Sequence, residues 1–139
     1  MTWSAPYIGI PYADRGRDPA IGLDCWGLVR HVLHDEMQAD LPSYDIYSSS
    51  DEITETAAIV EENRNNPAQW FEVTLDIAKS FDVILFAIKG HPCHVGVVAR
   101  RPFMLHTLRP HHSCLEKFTS PKWVNRVRGV FRLGSVDPI

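Results

Sequence analysis

The chain has 139 residues, 17 acidic and 14 basic side chains, a formal net charge of −3 and 45% hydrophobic residues. This length and composition predict one globular domain over residues 1–139. No apolar run approaches the ~18 residues of a membrane span, so we expect no membrane partner. The acidic balance and the lack of a nucleic-acid-binding motif likewise argue against a nucleic-acid partner.

The first residues indicate where the chain is made, and the cysteines indicate whether disulfides or a metal ion are expected. Residues 1–6 have no basic stretch followed by an apolar core, so we expect no signal peptide and synthesis in the cytoplasm. Cys25, Cys93 and Cys114 are too few for a disulfide scaffold. A zinc site could use Cys93, His94 and Cys114, but no Cys-x-x-Cys pair and no zinc-module spacing is present. We therefore expect no metal and no other cofactor.

Charge is divided unevenly along the chain. Residues 1–98 hold 15 acidic and 6 basic side chains, whereas residues 99–139 hold 2 and 8. The basic third could face an anionic polymer such as cell wall or nucleic acid. The arginines of residues 126–132 fall on alternate positions, however, which favours the solvated face of a strand.

The N-terminal half predicts a loop and two helices. Gly and Pro in residues 7–22 indicate a structured loop. Residues 24–37 predict an amphipathic helix with Asp24 as N-cap, because apolar side chains recur at three- and four-residue steps. A second, mostly polar helix is expected over residues 52–63, with Asp51 as its cap.

From Phe81 the pattern changes to short, apolar, β-prone runs. The predicted strands are residues 81–88, 94–99, 103–108, 114–118 and 124–133. Helices followed by consecutive strands indicate an α+β domain in which N-terminal helices pack on a central antiparallel sheet.

Cys25 lies in the first turn of the predicted helix. Backbone N–H groups and the positive end of the helix dipole favour a thiolate there, and the thiolate is the nucleophilic form. The alternative is a buried cysteine that only fills core space. Cys93 directly precedes His94 and is expected to be buried and structural.

His94 and His106 lie on the two strands of a predicted hairpin. If its turn is centred on Arg100, the histidines are directly opposed, with Cβ atoms roughly 4.5–5.5 Å apart on one face. Each histidine alone could be an ordinary core residue. Together they predict Cys25 as nucleophile, His94 as general base and acid, and His106 as the residue that orients His94.

Three short motifs in this order resemble a known family. Residues 24–29, Asp-Cys-Trp-Gly-Leu-Val, are similar to the Asp-Cys-Ser-Gly-Leu-Val motif of NlpC-type cell-wall peptidases, a bacterial branch of the papain-like fold. Residues 94–98, His-Val-Gly-Val-Val, resemble the family's strand that carries the general base. Residues 105–107, Leu-His-Thr, resemble its strand that carries the third polar residue. The resemblance extends over about residues 7–108.

The resemblance implies a papain-like fold and a cysteine endopeptidase or amidase with a Cys-His-His triad. The implied substrate is the peptide stem of peptidoglycan, at the bond between D-glutamate and a diamino acid. It also implies that Tyr12 lies near the nucleophile. Asp24 and Trp26 are candidate substrate-binding residues, and Trp26, in place of the usual Ser, is expected to alter the groove.

The motif form is closest to the phage-tail and gene-transfer-agent subgroup of that family. This implies a prophage-derived tail component with other tail proteins as partners, acting in the periplasm or cell wall. Two alternatives remain: a tail-tip structural module with dispensable hydrolase activity, and a thioester-forming acyltransferase. Two departures stand out: Ser80-Phe81-Asp82 replaces the family's Gly-Asp turn, and the insertion at about residues 44–79 matches no known segment.

Overall fold

A computed structural model describes residues 3–42 and 70–134. The elements in these ranges are β1 (Arg17–Asp18), β2 (Gly22–Leu23), α1 (Cys25–Met37), β3 (Trp70–Val73), β4 (Val83–Ile88), β5 (His91–Arg100), β6 (Phe103–His106), β7 (Cys114–Lys117), α2 (Pro121–Val124) and β8 (Val127–Leu133). Short 3-10 helices span Ala5–Tyr7 and Leu75–Ile77. The predicted α+β class is confirmed. The predicted helix over residues 52–63 lies outside the described residues.

The helix α1 forms where the sequence predicts it. Its buried side chains follow the three- and four-residue spacing, and the side chain of Asp24 accepts a hydrogen bond from the Gly27 backbone N–H at 2.7 Å. The helix ends at Gln38, whose left-handed φ of 53° ends the helical backbone. Among the described residues, no helix is both long and apolar enough to cross a membrane.

A six-stranded antiparallel sheet has the order β3-β8-β4-β5-β6-β7. One face packs against α1 through alternate side chains, among them Leu85, Val95, Val97 and Leu105. The other face is covered by Phe118 and Trp123 and contributes Ile84, Phe86, Val98 and Met104. Because side chains alternate along a strand, each central strand supplies both cores.

The hairpin of β5 and β6 differs from the predicted register. The pairs are Val97 with Leu105 and Val98 with Met104, and the register shifts between Val98 and Arg100. The histidines are therefore diagonal rather than directly opposed, so the prediction that the turn centres on Arg100 was wrong. The error is two residues, an even number, and so both side chains still project from one face.

The segment before β4 shows how the chain accommodates its departure from the Gly-Asp turn. Phe81 has φ of 77°, a left-handed value that favours glycine. Its ring stacks on Trp3, with centroids 4.5 Å apart. Asp82 is 1% exposed and accepts hydrogen bonds from the Lys79 backbone N–H and from Arg132, all at 2.9 Å. These contacts compensate for the strained backbone.

Candidate active site

Cys25 is the first residue of α1, and a buried ion pair fixes this helix end. Asp24 is 2% exposed, and its Oδ1 accepts hydrogen bonds from Gly27 N and from Arg17 Nη1, both at 2.7 Å. Burial raises the pKa of Asp24, while Arg17 and the Gly27 N–H oppose that shift. The cap therefore holds Cys25 at the helix start.

Gly27 is needed because another part of the chain crosses the helix at this point. A Cβ at Gly27 would lie 2.1 Å from the carbonyl oxygen of Gly16, far inside contact distance. The glycine thus lets the loop that carries Arg17 lie directly against the first turn of α1.

The sulfur of Cys25 reaches the start of β5. Its thiol donates to the backbone carbonyl oxygen of Cys93, with the sulfur 3.9 Å from that oxygen. The next residue in the chain is His94. Cys25 is 8% exposed, and Cys93 is buried as predicted. The nucleophile candidate therefore lies beside the peptide bond that leads into the candidate base.

The two histidines form a direct hydrogen bond. His94 Nε2 and His106 Nδ1 are 2.9 Å apart, and each residue is 2% exposed. Since Nε2 of His94 is occupied in this way, Nδ1 is the ring nitrogen left to exchange a proton with a substrate or a nucleophile.

Trp123 forms the wall that holds both rings. It is 0% exposed, stacks on His94 with centroids 5.4 Å apart and an interplanar angle of 25°, and meets the His106 ring edge-on at 5.1 Å. Phe86 lies on another side of His94, at 5.9 Å between ring centroids. Aromatic packing therefore restricts the orientations that either imidazole can adopt.

Glu116 extends the histidine pair to a third member. Its Oε1 lies 2.7 Å from His106 Nε2, and its Oε2 lies 3.9 Å from Lys122 Nζ. Burial raises the pKa of Glu116, but the Trp123 N–H, His106 and Lys122 together outweigh burial and lower it. The Trp123 N–H lies outside normal hydrogen-bond geometry, so we regard its effect as electrostatic.

Both histidines are neutral at neutral pH. Burial, with a smaller contribution from His106, lowers the pKa of His94 to about 3. Burial also lowers the pKa of His106, against the opposing effect of Glu116. The sequence predicts a thiolate at Cys25; at His94, these directions favour a neutral imidazole before substrate arrives.

Among the described residues, one cluster of side chains that could bind a metal ion lies at this site. Ligand atoms of His106, Cys114 and Glu116 lie within 4.8 Å of one another. Glu116 already accepts from His106, and the ammonium group of Lys122 lies beside its other oxygen. A cation here would face that positive charge, so we interpret the cluster as a hydrogen-bond network.

The remaining predicted site residues have partners within the protein. Trp26 is 4% exposed, and its indole N–H donates to the Pro42 carbonyl oxygen at 3.0 Å. Tyr12 forms a backbone bridge with Leu23, two residues before Cys25, and its ring lies 5.7 Å from the Arg109 guanidinium carbon. Both Asp24 and Trp26 are buried and hydrogen-bonded within the protein. Their contact with substrate, and the role of Tyr12, stay predictions.

The family comparison agrees with this arrangement. The family described as NlpC/P60 matches residues 9–132, a range that contains Cys25, both histidines and Glu116. The chain belongs to the NlpC/P60 family. Members of this family are cysteine peptidases, and its peptidoglycan hydrolases are among the structural neighbours. A comparison with curated proteins found no match.

Solved structures of NlpC/P60 proteins have the same fold. The NlpC/P60 domain of the peptidoglycan hydrolase SagA is similar with a TM-score of 0.63 and 18% identity, over 93% of this chain and 92% of that one. An NLP/P60 protein of Staphylococcus aureus, described as similar to lipoprotein, gives a TM-score of 0.66 and 21% identity, over 95% and 39% of the two chains. An NlpC/P60 family protein of Bacillus cereus has a TM-score of 0.59 and 21% identity, over 89% of this chain and 35% of that one. This chain thus spans about two fifths or less of those last two proteins. These likenesses confirm the papain-like NlpC/P60 fold.

Sequence reasoning missed Glu116 and the contact of Trp123 with both histidines. Glu116 lies on a strand that pairs with the strand of His106, in the register His106 with Cys114 and Met104 with Glu116. The signal that could have found it is the alternation of side chains in β7. The loop of residues 107–113 is long enough to allow several registers, so the sequence alone did not select this one.

Proposed function

We propose that this chain is a cysteine peptidase that hydrolyses the peptide stems of bacterial peptidoglycan. The proposed bond joins D-glutamate, through its γ-carboxyl group, to a diamino acid. The observation that supports this most is the 2.9 Å hydrogen bond between His94 and His106, formed on the strand whose first residues contact Cys25. Family membership and the fold supply the substrate class.

The proposed reaction uses Cys25 as nucleophile. His94 accepts the thiol proton as the sulfur attacks the carbonyl carbon, because its Nδ1 remains when Nε2 is bonded to His106. Collapse of the tetrahedral intermediate breaks the C–N bond, and His94 returns the proton to the leaving amine. Water then attacks the thioester with His94 again as base, which releases the carboxylate product and regenerates the thiol.

A neutral resting His94 can accept the thiol proton during the attack itself. Burial lowers the pKa of His94, so this residue rests as the neutral imidazole, the form that can accept a proton. His106 stabilises the transient imidazolium by accepting its Nε2–H, as the third member does in other triads. General-base help of this kind contributes about 10²–10⁴-fold.

Incubation with purified, defined muropeptides tests the proposal. Mass spectrometry should show two products whose masses add up to that of the substrate plus one water, with the new amine on the diamino acid. Cys25→Ala should abolish them, whereas Glu72→Gln, on the edge strand β3 at the other side of the sheet, should retain them. Undiminished cleavage by Cys25→Ala, or no cleavage of any stem peptide by the wild-type chain, would contradict it.

We also propose that the chain works as a component of a phage-like tail and acts in the periplasm or cell wall. The support is the form of the sequence around Cys25, with Trp26 in place of Ser and the Tyr-Ile-Gly-Ile-Pro-Tyr segment before it. Particles induced from the host should contain the chain. Particles that carry Cys25→Ala should assemble normally but deliver poorly through an intact wall, whereas normal delivery would favour a structural role.

A further inference from the structure

We propose that Glu116 is a positioning residue that fixes the tautomers of both histidines so that His94 Nδ1 has no proton. The inference rests on the proposed roles of Cys25 and His94 and adds a fourth member to their arrangement. Nothing in the sequence motifs assigns a role to Glu116, which lies on β7 beyond all three of them.

The argument starts from the chemistry of the acceptor. An ionised carboxylate can only accept hydrogen bonds, so the 2.7 Å contact of Glu116 Oε1 requires the proton on His106 Nε2. In a neutral imidazole, His106 Nδ1 is then an acceptor. The 2.9 Å contact with His94 consequently requires a proton on His94 Nε2. Neutral His94 is left with a bare Nδ1, the form that can take a thiol proton.

The charge states of Glu116 and His106 favour this direction of hydrogen-bond donation, from His94 to His106 to Glu116. Glu116 is ionised because its pKa is lowered, and His106 is neutral because burial lowers its pKa. The side chain of Glu116 is 35% exposed, so the carboxylate stays partly hydrated, while its His106 partner is 2% exposed. Lys122, 61% exposed, lies near the other oxygen and adds favourable charge.

Without the carboxylate, the two histidines could adopt the opposite placement of their ring protons. His106 could then place its proton on Nδ1 and donate to His94 Nε2, which would leave the proton of neutral His94 on Nδ1. That tautomer cannot accept a proton from Cys25. In the serine-protease triad, an Asn that favours the wrong histidine tautomer lowers kcat about 10⁴-fold. We expect a smaller loss here, roughly 10- to 10³-fold, because water can partly replace an exposed carboxylate.

The test compares Glu116→Leu and Glu116→Gln with two controls. Leu removes the acceptor, whereas the Gln amide can either accept from or donate to His106, and so permits both tautomers. Lys117→Met removes an exposed charge from β7 one residue after Glu116, and therefore on the opposite face of that strand. Glu72→Gln removes an exposed carboxylate from β3, the opposite edge strand of the same sheet.

Two readouts distinguish positioning from a structural role. The ¹⁵N chemical shifts of the histidine rings separate protonated from bare nitrogens, and we expect Nε2–H on both rings in the wild type and in both controls. We expect Nδ1–H signals to grow in Glu116→Gln and to dominate in Glu116→Leu. With muropeptides, kcat should fall in that same order while KM stays within about twofold, because in this proposal Glu116 acts through His106.

The inference and the proposed function can fail separately. If the wild type cleaves muropeptides and Glu116→Leu retains both kcat and the Nε2–H tautomers, Glu116 has no positioning role. If the wild type cleaves nothing, the ring ¹⁵N shifts still test the tautomers. Unaltered shifts in Glu116→Leu would overturn the inference in that case too.

Discussion

Gly96 lies against His106 where β5 runs beside β6, and its missing side chain leaves room for the imidazole that reaches diagonally to His94. An added Cβ at Gly96 would lie 3.2 Å from His106 Cβ and 3.1 Å from Met104 Sδ. The glycine two residues after the candidate base is therefore part of the site's geometry.

Gly96→Ala should displace His106 and lower both kcat and the free energy of unfolding. The new methyl group must push His106 by a few tenths of an ångström, enough to weaken the bond to His94. We expect kcat to fall about 10-fold or more and the free energy of unfolding to fall by about 1–3 kcal/mol. Gly129→Ala, in β8 of the same sheet, serves as control and should lose stability without a matching loss of kcat per folded molecule.

Stability should fall as the pH is lowered from 7 towards 4. The pKa of His94 is about 3 in the folded chain and about 6.5 when unfolded, so the unfolded chain binds more protons between these values. This contribution to stability is complete above pH 6.5 and is lost as the pH falls. The melting temperature of His94→Gln should therefore depend less steeply on pH. Equal slopes for the two proteins would contradict burial of a neutral His94.

Gly27→Ala should damage folding although alanine is the better helix former. Its methyl carbon would lie 2.1 Å from the Gly16 carbonyl oxygen, and backbone cannot move aside as a side chain can. We expect the free energy of unfolding, measured by urea denaturation, to fall by roughly 1–3 kcal/mol or more. Helix propensity alone would predict the opposite, because alanine favours a helix more than glycine does. A more stable Gly27→Ala would show that the loop does not lie against α1.

Asp24→Ala should destabilise the chain more than Asp24→Asn does. Alanine removes both the helix cap and the carboxylate that faces the Arg17 guanidinium, whereas asparagine retains a capping oxygen. Breaking a buried ion pair costs about 3–5 kcal/mol, and loss of a cap about 0.5–2 kcal/mol. Urea denaturation of the two variants checks the order, and equal losses would mean that capping adds nothing here.

Local sequence patterns predicted the helices and strands that show a clear period within their own residues. Apolar spacing gave α1, and β-prone runs gave the strands from Val83 onwards, with ends shifted by a few residues. The short strand Trp70–Val73 and the helix Pro121–Val124 were missed. A strand of four residues at a sheet edge, and a helix of a single turn, show no period that can be recognised in the sequence.

The site was predictable only as far as motifs and alternation extend. His94 and His106 lie on the same face in both the predicted and the observed register. Their pairing was therefore predicted correctly although the predicted position of the turn was wrong. Glu116 and Trp123 reach the same histidines through long-range pairing and packing, which depend on the loop after His106 and on the entire sheet. The neutral state of His94 depends on burial, which the sequence does not quantify.

The central claim is that the two histidines activate Cys25, and thiol alkylation tests it most directly. The rate of iodoacetamide reaction at each cysteine should be measured by peptide mass spectrometry for the wild type and His94→Gln at pH 7. We predict that Cys25 reacts at least 10-fold more slowly in His94→Gln, while Cys114, in the same molecules, reacts at an unchanged rate. Equal rates at Cys25 in the two proteins would contradict the account.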